Sequence, residues 1–284
     1  MTKSCSKQQQ LRISEICLKL LEPEHLYYYQ VTKQEAQKMS KLRVLCLHGF
    51  TSNGSVHAHQ VRGITKPLSA SFEFIFPDGP HEVPISDKMK QESPSMRTWA
   101  EYVSINSKSG HRAWWVAKDP DSTKNEPGGF DGLERSLDYL GDIIQKSGPV
   151  HAIWGFSQGA CFSGMLMALL SPQQKNHPLR KRLPKSQGIP SAGIFFSGFK
   201  SRFAEHESAY EKGIEVPTLH VVGERDTAVT PEKSKTLARI CKDAKVLTHA
   251  GAHDIPSSEE DRETVVRFMR ENVRAAKSDG RENL

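Results

Sequence analysis

Gly155-Phe156-Ser157-Gln158-Gly159 lies between a short apolar run, Val150–Trp154, and a stretch of helical character, Gln158–Leu170. A strand, a sharp turn and a helix is the setting in which a G-x-S-x-G turn holds its central serine upright at the end of a sheet. Such a turn forces the serine into a strained backbone conformation. Only glycines two residues to either side let strand and helix approach so closely. The serine hydroxyl and the first amide of the helix then point at the same spot. At ordinary Gly and Ser usage the bare pattern arises by chance in roughly one chain in ten of this length, so its weight rests on what accompanies it.

What accompanies it is an alternation. Leu42–Leu47 is a continuous apolar run with the character of a buried parallel strand, and Phe72–Phe76 is a second. Val61–Leu68 between them can carry a crossover helix. Asp131–Ile144 spaces Leu133, Leu137, Leu140, Ile143 and Ile144 as one apolar helix face. After the Ser157 turn come short strands at Gly193–Phe196, Pro217–Val222 and Lys245–His249, with helical stretches at Pro231–Cys241 and Glu259–Val273. The pattern predicts an α/β fold: a mostly parallel central sheet with helices on both faces. Catalytic groups then belong on loops at the carboxyl ends of the strands.

The expected organisation is an N-terminal extension (residues 1–40), one domain over 41–276 and a polar tail over 277–284. Leu11–Leu21 in the extension has roughly helical apolar spacing, suiting a surface helix or a partner-binding segment. About residues 78–130 the alternation breaks into a long insert rich in Pro, Gly, Ser and charge, which also holds Trp99, Trp114 and Trp115. An insert of that length reads as a lid.

Composition bounds the rest. The chain has 284 residues, 37% hydrophobic and 25% charged, ordinary values for a globular protein. No apolar run is long enough to span a bilayer, and Met1–Gln10 lacks the apolar stretch of a secretory signal. Five scattered cysteines form no C-x-x-C pair, so neither a disulfide framework nor a zinc site is expected. A cytoplasmic setting follows, with the nucleus as an alternative. The net charge is +6, and its densest cluster is Arg180-Lys181-Arg182 with Lys185 nearby. That cluster reads either as a nuclear signal or nucleic-acid contact, or as a solvated loop. Interspersed charge elsewhere and the lack of an RNA-binding aromatic motif favour the loop, with no nucleic-acid partner.

A serine hydroxyl attacks only if a base takes its proton, and histidine suits because it titrates near working pH. A buried carboxylate must then fix the imidazole tautomer. On a sheet of this kind the order is Ser, acid, His. The strand ending at Val222 is followed by Gly223-Glu224-Arg225-Asp226, and the strand ending at His249 by Ala250-Gly251-Ala252-His253-Asp254. Asp226 lies 69 residues after Ser157, and His253 a further 27 on, room for one helix and strand. Ser157 is the expected nucleophile, His253 the base and Asp226 the orienting acid. Glu224 is a rival acid, Asp254 sits too close to His253 in sequence to reach around its ring, and His249 reads as structural. His48-Gly49-Phe50 follows the first strand. A backbone amide there, that of Phe50, would join the Gln158 amide as an oxyanion hole, with His48 organising the loop. Asn53-Gly54-Ser55 matches a glycosylation sequon without meaning in this setting, and His57 and His59 lack partners for a metal.

These residues resemble the FSH family of serine hydrolases over about residues 42–273. The resemblance rests on Leu42–Phe50, Pro77-Asp78-Gly79-Pro80-His81, Arg112-Ala113-Trp114-Trp115, Gly132-Leu133-Glu134, Gly155–Ala160, Ser197-Gly198-Phe199 and Thr248–Pro256. It implies the α/β-hydrolase fold and a hydrolase of carboxylic esters or thioesters that works through an acyl-enzyme, without metal or organic cofactor. The implied substrate is a small-molecule ester or acyl-thioester, or an acyl chain borne by a carrier. It also implies Trp114 and Trp115 as pocket-wall, substrate-binding residues, with core packing as the other reading. An acyl-protein thioesterase shares the Gly-Phe-Ser-Gln-Gly turn and remains an alternative, as does a non-catalytic binding protein on the same fold. Two features depart from the family: residues 1–40 have no counterpart in its compact members, and Asp254 stands where an apolar or small residue is usual.

Overall fold

Parallel strands carry the architecture. In the computed structural model, which describes residues 41–85, 91, 94–117 and 129–273, the main sheet contains β1 (Leu42–Leu47), β2 (Phe72–Ile75), β7 (Ala152–Phe156), β8 (Ala192–Phe196), β9 (Thr218–Gly223) and β10 (Ala244–His249). Their order across the sheet is β10-β9-β8-β7-β1-β2, with every neighbour pair parallel. The chain starts in the interior at β1, steps outward to β2, then returns to the other side of β1 at β7. The order therefore reverses between β1 and β7. The carboxyl ends of those two strands bound the crevice where such sheets bind ligands.

Alternation along each strand divides the core between the two faces. Leu45, Leu47, Ile153 and Phe195 point one way, into Leu137 and Leu140 of α3 (Leu133–Ser147) and Phe162 and Leu166 of α4 (Gln158–Leu169). Val44, Cys46, Trp154, Ile194 and Phe196 point the other way, against Ile64 and against Val265 and Met269 of α6 (Glu259–Asn272). Each such large apolar side chain contributes about 1.5–3 kcal/mol through burial. All of α4 is buried, as expected for a helix apolar on every side. α6 begins at a Ser258 cap that accepts the Asp261 amide, with Glu259, Glu260 and Asp261 in its first turn, favourable at a helix N-terminus. α5 (Pro231–Ala238) starts likewise at Thr230, followed by a proline at the first helical position.

Element ends differ from the sequence reading by one to three residues, and one helix differs more. The crossover after β1 opens with α1 (Gly54–Gln60), well before Val61, and only short helical turns follow at Arg62–Thr65 and Lys66–Leu68. Asn53 caps α1 by accepting the Val56 amide, while the Gly54 amide donates to Asp78. The buried face of α1 is Val56 and His57, and a buried histidine leaves no apolar stripe to read. The capping duty also answers the sequon: Asn53 is wholly buried and its amide donates to the Gly110 carbonyl.

Within the 78–130 insert, β3 (His81–Glu82) pairs antiparallel with β4 (Arg112–Ala113), and β5 (Val116–Ala117) pairs with β6 (Phe130–Asp131). Between β3 and β4 runs α2 (Pro94–Asn106). The described residues from Leu42 to Val273 group as one compact unit. The expectations for residues 1–40, including Leu11–Leu21, and for the 277–284 tail lie outside the described residues. Cys46, Cys161 and Cys241 are buried free thiols. Among the described residues no helix is long and apolar enough to cross a membrane.

Candidate active site

Ser157 stands between β7 and α4 with φ 55° and ψ −116°, a region that non-glycine residues avoid. Its neighbours explain how the turn closes. A Cβ on Gly155 would lie 2.4 Å from the Gly159 carbonyl, and one on Gly159 would lie 2.1 Å from the Leu47 carbonyl oxygen. The Ser157 amide donates to the Phe196 carbonyl of β8 at 2.9 Å, fixing the turn to the neighbouring strand.

The loops after β9 and β10 bring the other two groups to the hydroxyl. His253 Nε2 is 3.0 Å from Ser157 Oγ, and His253 Nδ1 is 2.8 Å from Asp226 Oδ2. Because a carboxylate only accepts, Nδ1 carries the proton and Nε2 is free to accept from Ser157. Asp226 Oδ1 accepts the amides of Ala228 and Val229, at 3.0 and 2.8 Å. Burial pushes the Asp226 carboxyl up, but hydrogen bonds from His253 and the Val229 amide outweigh it, and the group sits below the usual carboxylate range. The His253 ring rests on Phe156, centroids 4.8 Å apart.

The loop after β1 closes the fourth side. A Cβ on Gly49 would lie 3.4 Å from Ser157 Cβ, so the Gly49-Phe50 backbone passes directly beside the hydroxyl. His48 does not reach Ser157. Its Nε2 accepts the Gly79 amide at 2.8 Å, and its Nδ1 donates to the Gly49 carbonyl at 2.7 Å. Burial lowers it to about 4, so it stays neutral. The Gln158 amide, first in α4, has no intrahelical partner.

Residues 37–265 match the profile of the family described as serine hydrolase (FSH1). The chain belongs to this family. Esterase CG5412 of Drosophila melanogaster is 32% identical over 235 residues, covering 82% of this chain and 75% of that protein. Esterase OVCA2 of Homo sapiens is 30% identical over 231 residues, covering 80% of this chain and 95% of that protein. The crystal structure of esterase PE8 superposes with a TM-score of 0.52 at 20% identity, over 82% of this chain and 94% of that one. The fold is the α/β-hydrolase fold, and the chain is a serine hydrolase of the esterase type.

A cavity of about 610 Å³ opens beside the Ser157 turn. Phe50, Trp115, Gln158, Phe199, Phe203 and Val229 give it a largely apolar wall, with Lys200, Arg202 and Lys233 also on its lining. The two tryptophans part company here. Trp115 lines the cavity, but Trp114 is wholly buried, with its indole N–H on the His48 carbonyl at 2.8 Å and its ring against Phe162. Trp114 therefore packs the core beneath the loop after β1 and does not form a pocket wall. Sequence reasoning also missed the Gln158 side chain. It accepts the Trp114 amide at 2.9 Å and donates to the Trp115 carbonyl at 2.8 Å, clamping the insert onto the turn. The signal was a long amide immediately after the serine, which apolar periodicity does not weigh.

The rivals fall elsewhere. Glu224 is exposed, and Asp254 extends toward His249, 3.8 Å from its Nδ1. The basic cluster is largely tied down: Arg180 donates to the carbonyls of Leu183, Pro184 and Gln187, while Arg182 pairs with Glu134 and Asp138 of α3. Among the described residues no group of three or more His, Cys, Asp or Glu is arranged to hold a metal ion.

Proposed function

We propose that this chain hydrolyses carboxylic esters or thioesters through an acyl-enzyme on Ser157, with His253 and Asp226 completing a Ser-His-Asp triad. The observation that carries the proposal is the pair of contacts 3.0 Å and 2.8 Å long that joins Ser157 Oγ, His253 and Asp226 in one line. His253 Nε2 takes the hydroxyl proton as Ser157 Oγ attacks the carbonyl carbon. The oxyanion accepts from the Phe50 and Gln158 amides, donors of a kind that lower the barrier by about 3–4 kcal/mol each. His253 returns the proton to the departing alcohol or thiol. Water then attacks the acyl carbon, giving a proton to His253 that passes back to Ser157 as the acid leaves.

The acyl group of the substrate lies along the apolar wall of the cavity, against Trp115 of the 78–130 insert and Phe203 of the loop after β8. Thiol and alcohol leaving groups use the same steps, so a thioester, free or carrier-borne, is as suitable chemically as an ester. The buried free thiols suit a reducing compartment such as the cytoplasm. The test is a panel of acyl esters and acyl-thioesters of graded chain length, run on the wild type and on Ser157→Ala. The variant is expected to lose at least a thousandfold in kcat on every substrate the wild type turns over. Retention of activity by Ser157→Ala would remove Ser157 from the mechanism.

A further inference from the structure

Three non-glycine residues among those described have positive φ: Thr51 at 59°, Ser157 at 55° and Ser197 at 46°. Each closely follows the carboxyl end of a strand, β1, β7 and β8, and these three strands are adjacent in the sheet. Strain of this kind persists where the surroundings over-determine it, and it concentrates at functional sites. Two of the three already have a place: Ser157 is the proposed nucleophile, and Thr51 closes the loop that presents Phe50. Ser197 has none.

Its surroundings are specific. The Ser197 amide donates to the Val221 carbonyl of β9 at 2.8 Å, so the residue sits between the strand bearing Ser157 and the strand leading to Asp226. The side chain is buried, and its hydroxyl has no partner of ordinary hydrogen-bond length and angle. A buried hydroxyl left unmet is costly. A carboxylate has about four acceptor positions, and on Asp226 three are taken, by the Ala228 and Val229 amides and by His253 Nδ1. The Ser197 hydroxyl is near enough to help hold that carboxyl low, yet short of a well-formed bond. Hydrogen bonds at such sites tighten when substrate binds.

We infer that Ser197 is a positioning residue, its strained backbone aiming a buried hydroxyl at the remaining acceptor position of Asp226 so that the carboxylate stays fixed beneath His253. It acts through Asp226 and does not touch the substrate. The inference rests on the triad proposed above. Two substitutions separate the hydroxyl from the fold. Ser197→Gly removes the hydroxyl and relieves the strain, and Ser197→Ala removes the hydroxyl and keeps it. Both are expected to lower kcat on an acyl ester about tenfold or more, with KM unchanged and with an equal slowing of fluorophosphonate labelling. Ser197→Gly should also melt at or above the wild-type temperature. Wild-type kcat in either variant overturns the inference, as does a loss confined to one of them or one that appears only in KM. If Ser157→Ala and Asp226→Asn are inactive in the same assays, such a result counts against Ser197 alone and leaves the triad standing.

Discussion

Ser157, the proposed nucleophile, is held at φ 55° only because its neighbours two residues away have no side chains. With 2.4 Å from Gly155 and 2.1 Å from Gly159 to main-chain atoms, a methyl group at either position forces strand and helix apart. Gly155→Ala and Gly159→Ala are each expected to destabilise the protein by at least 2–3 kcal/mol, or to prevent folding. Denaturant titration checks this, and a wild-type midpoint would show that the turn is looser than described. Asp226 makes a different demand, because its carboxylate sets which nitrogen of His253 bears the proton. Asp226→Asn preserves shape but favours the wrong tautomer, so kcat on an acyl ester should fall by about 10⁴ in steady-state assays of the folded variant. These positions were legible in the sequence because each follows an apolar run in the expected order. Ser197 stood out only as part of the Ser197-Gly198-Phe199 resemblance, and nothing in the sequence tied it to Asp226, because that link depends on a backbone angle. Trp114 was misjudged for a related reason: adjacent tryptophans do not disclose which ring faces the core.

At the scale of elements, α4 and the insert are joined through one side chain. Gln158 satisfies the Trp114 amide and the Trp115 carbonyl together. Gln158→Leu leaves both buried main-chain groups unmet, at about 1–3 kcal/mol each, while the Gln158 amide, a proposed oxyanion donor, is retained. Its expected signature is a raised KM for long acyl esters and a lower melting temperature, with kcat affected less than by any triad substitution. An unchanged KM would mean that the insert is held without the clamp. The interior strands β1, β7, β8 and β9 were readable as elements because both faces of a parallel sheet demand largely apolar runs. The helix Gly54–Gln60 was hidden because its cap, Asn53, and its buried His57 are polar. The insert showed only its composition, since pairings of two residues such as β3 with β4 leave no periodicity.

For the whole molecule, the alternation foretold a parallel sheet but not its order. The reversal between β1 and β7 is a property of long-range packing, on which local pattern is silent. The same packing buries histidines that titrate far below their usual range. Burial lowers His48, His206 and His220 to about 4, and burial with the neighbouring His48 lowers His57 to about 3. Each is neutral when folded and takes up a proton on unfolding below about pH 6.5. Their contribution to stability is therefore complete above pH 6.5 and is lost as the pH falls toward 4, at on the order of 1 kcal/mol per histidine per pH unit. Thermal unfolding followed from pH 7.5 to 4.5 should show the midpoint dropping steeply below pH 6.5, and a flat profile would mean that water or a partner group reaches these rings. The sharpest test of the enzyme itself is chemical labelling. A fluorophosphonate incubated with the full chain, followed by peptide mass spectrometry, should place one adduct on Ser157, and its rate should collapse in His253→Ala. An adduct at another serine, or none on a protein shown to be folded, would contradict a catalytic Ser157.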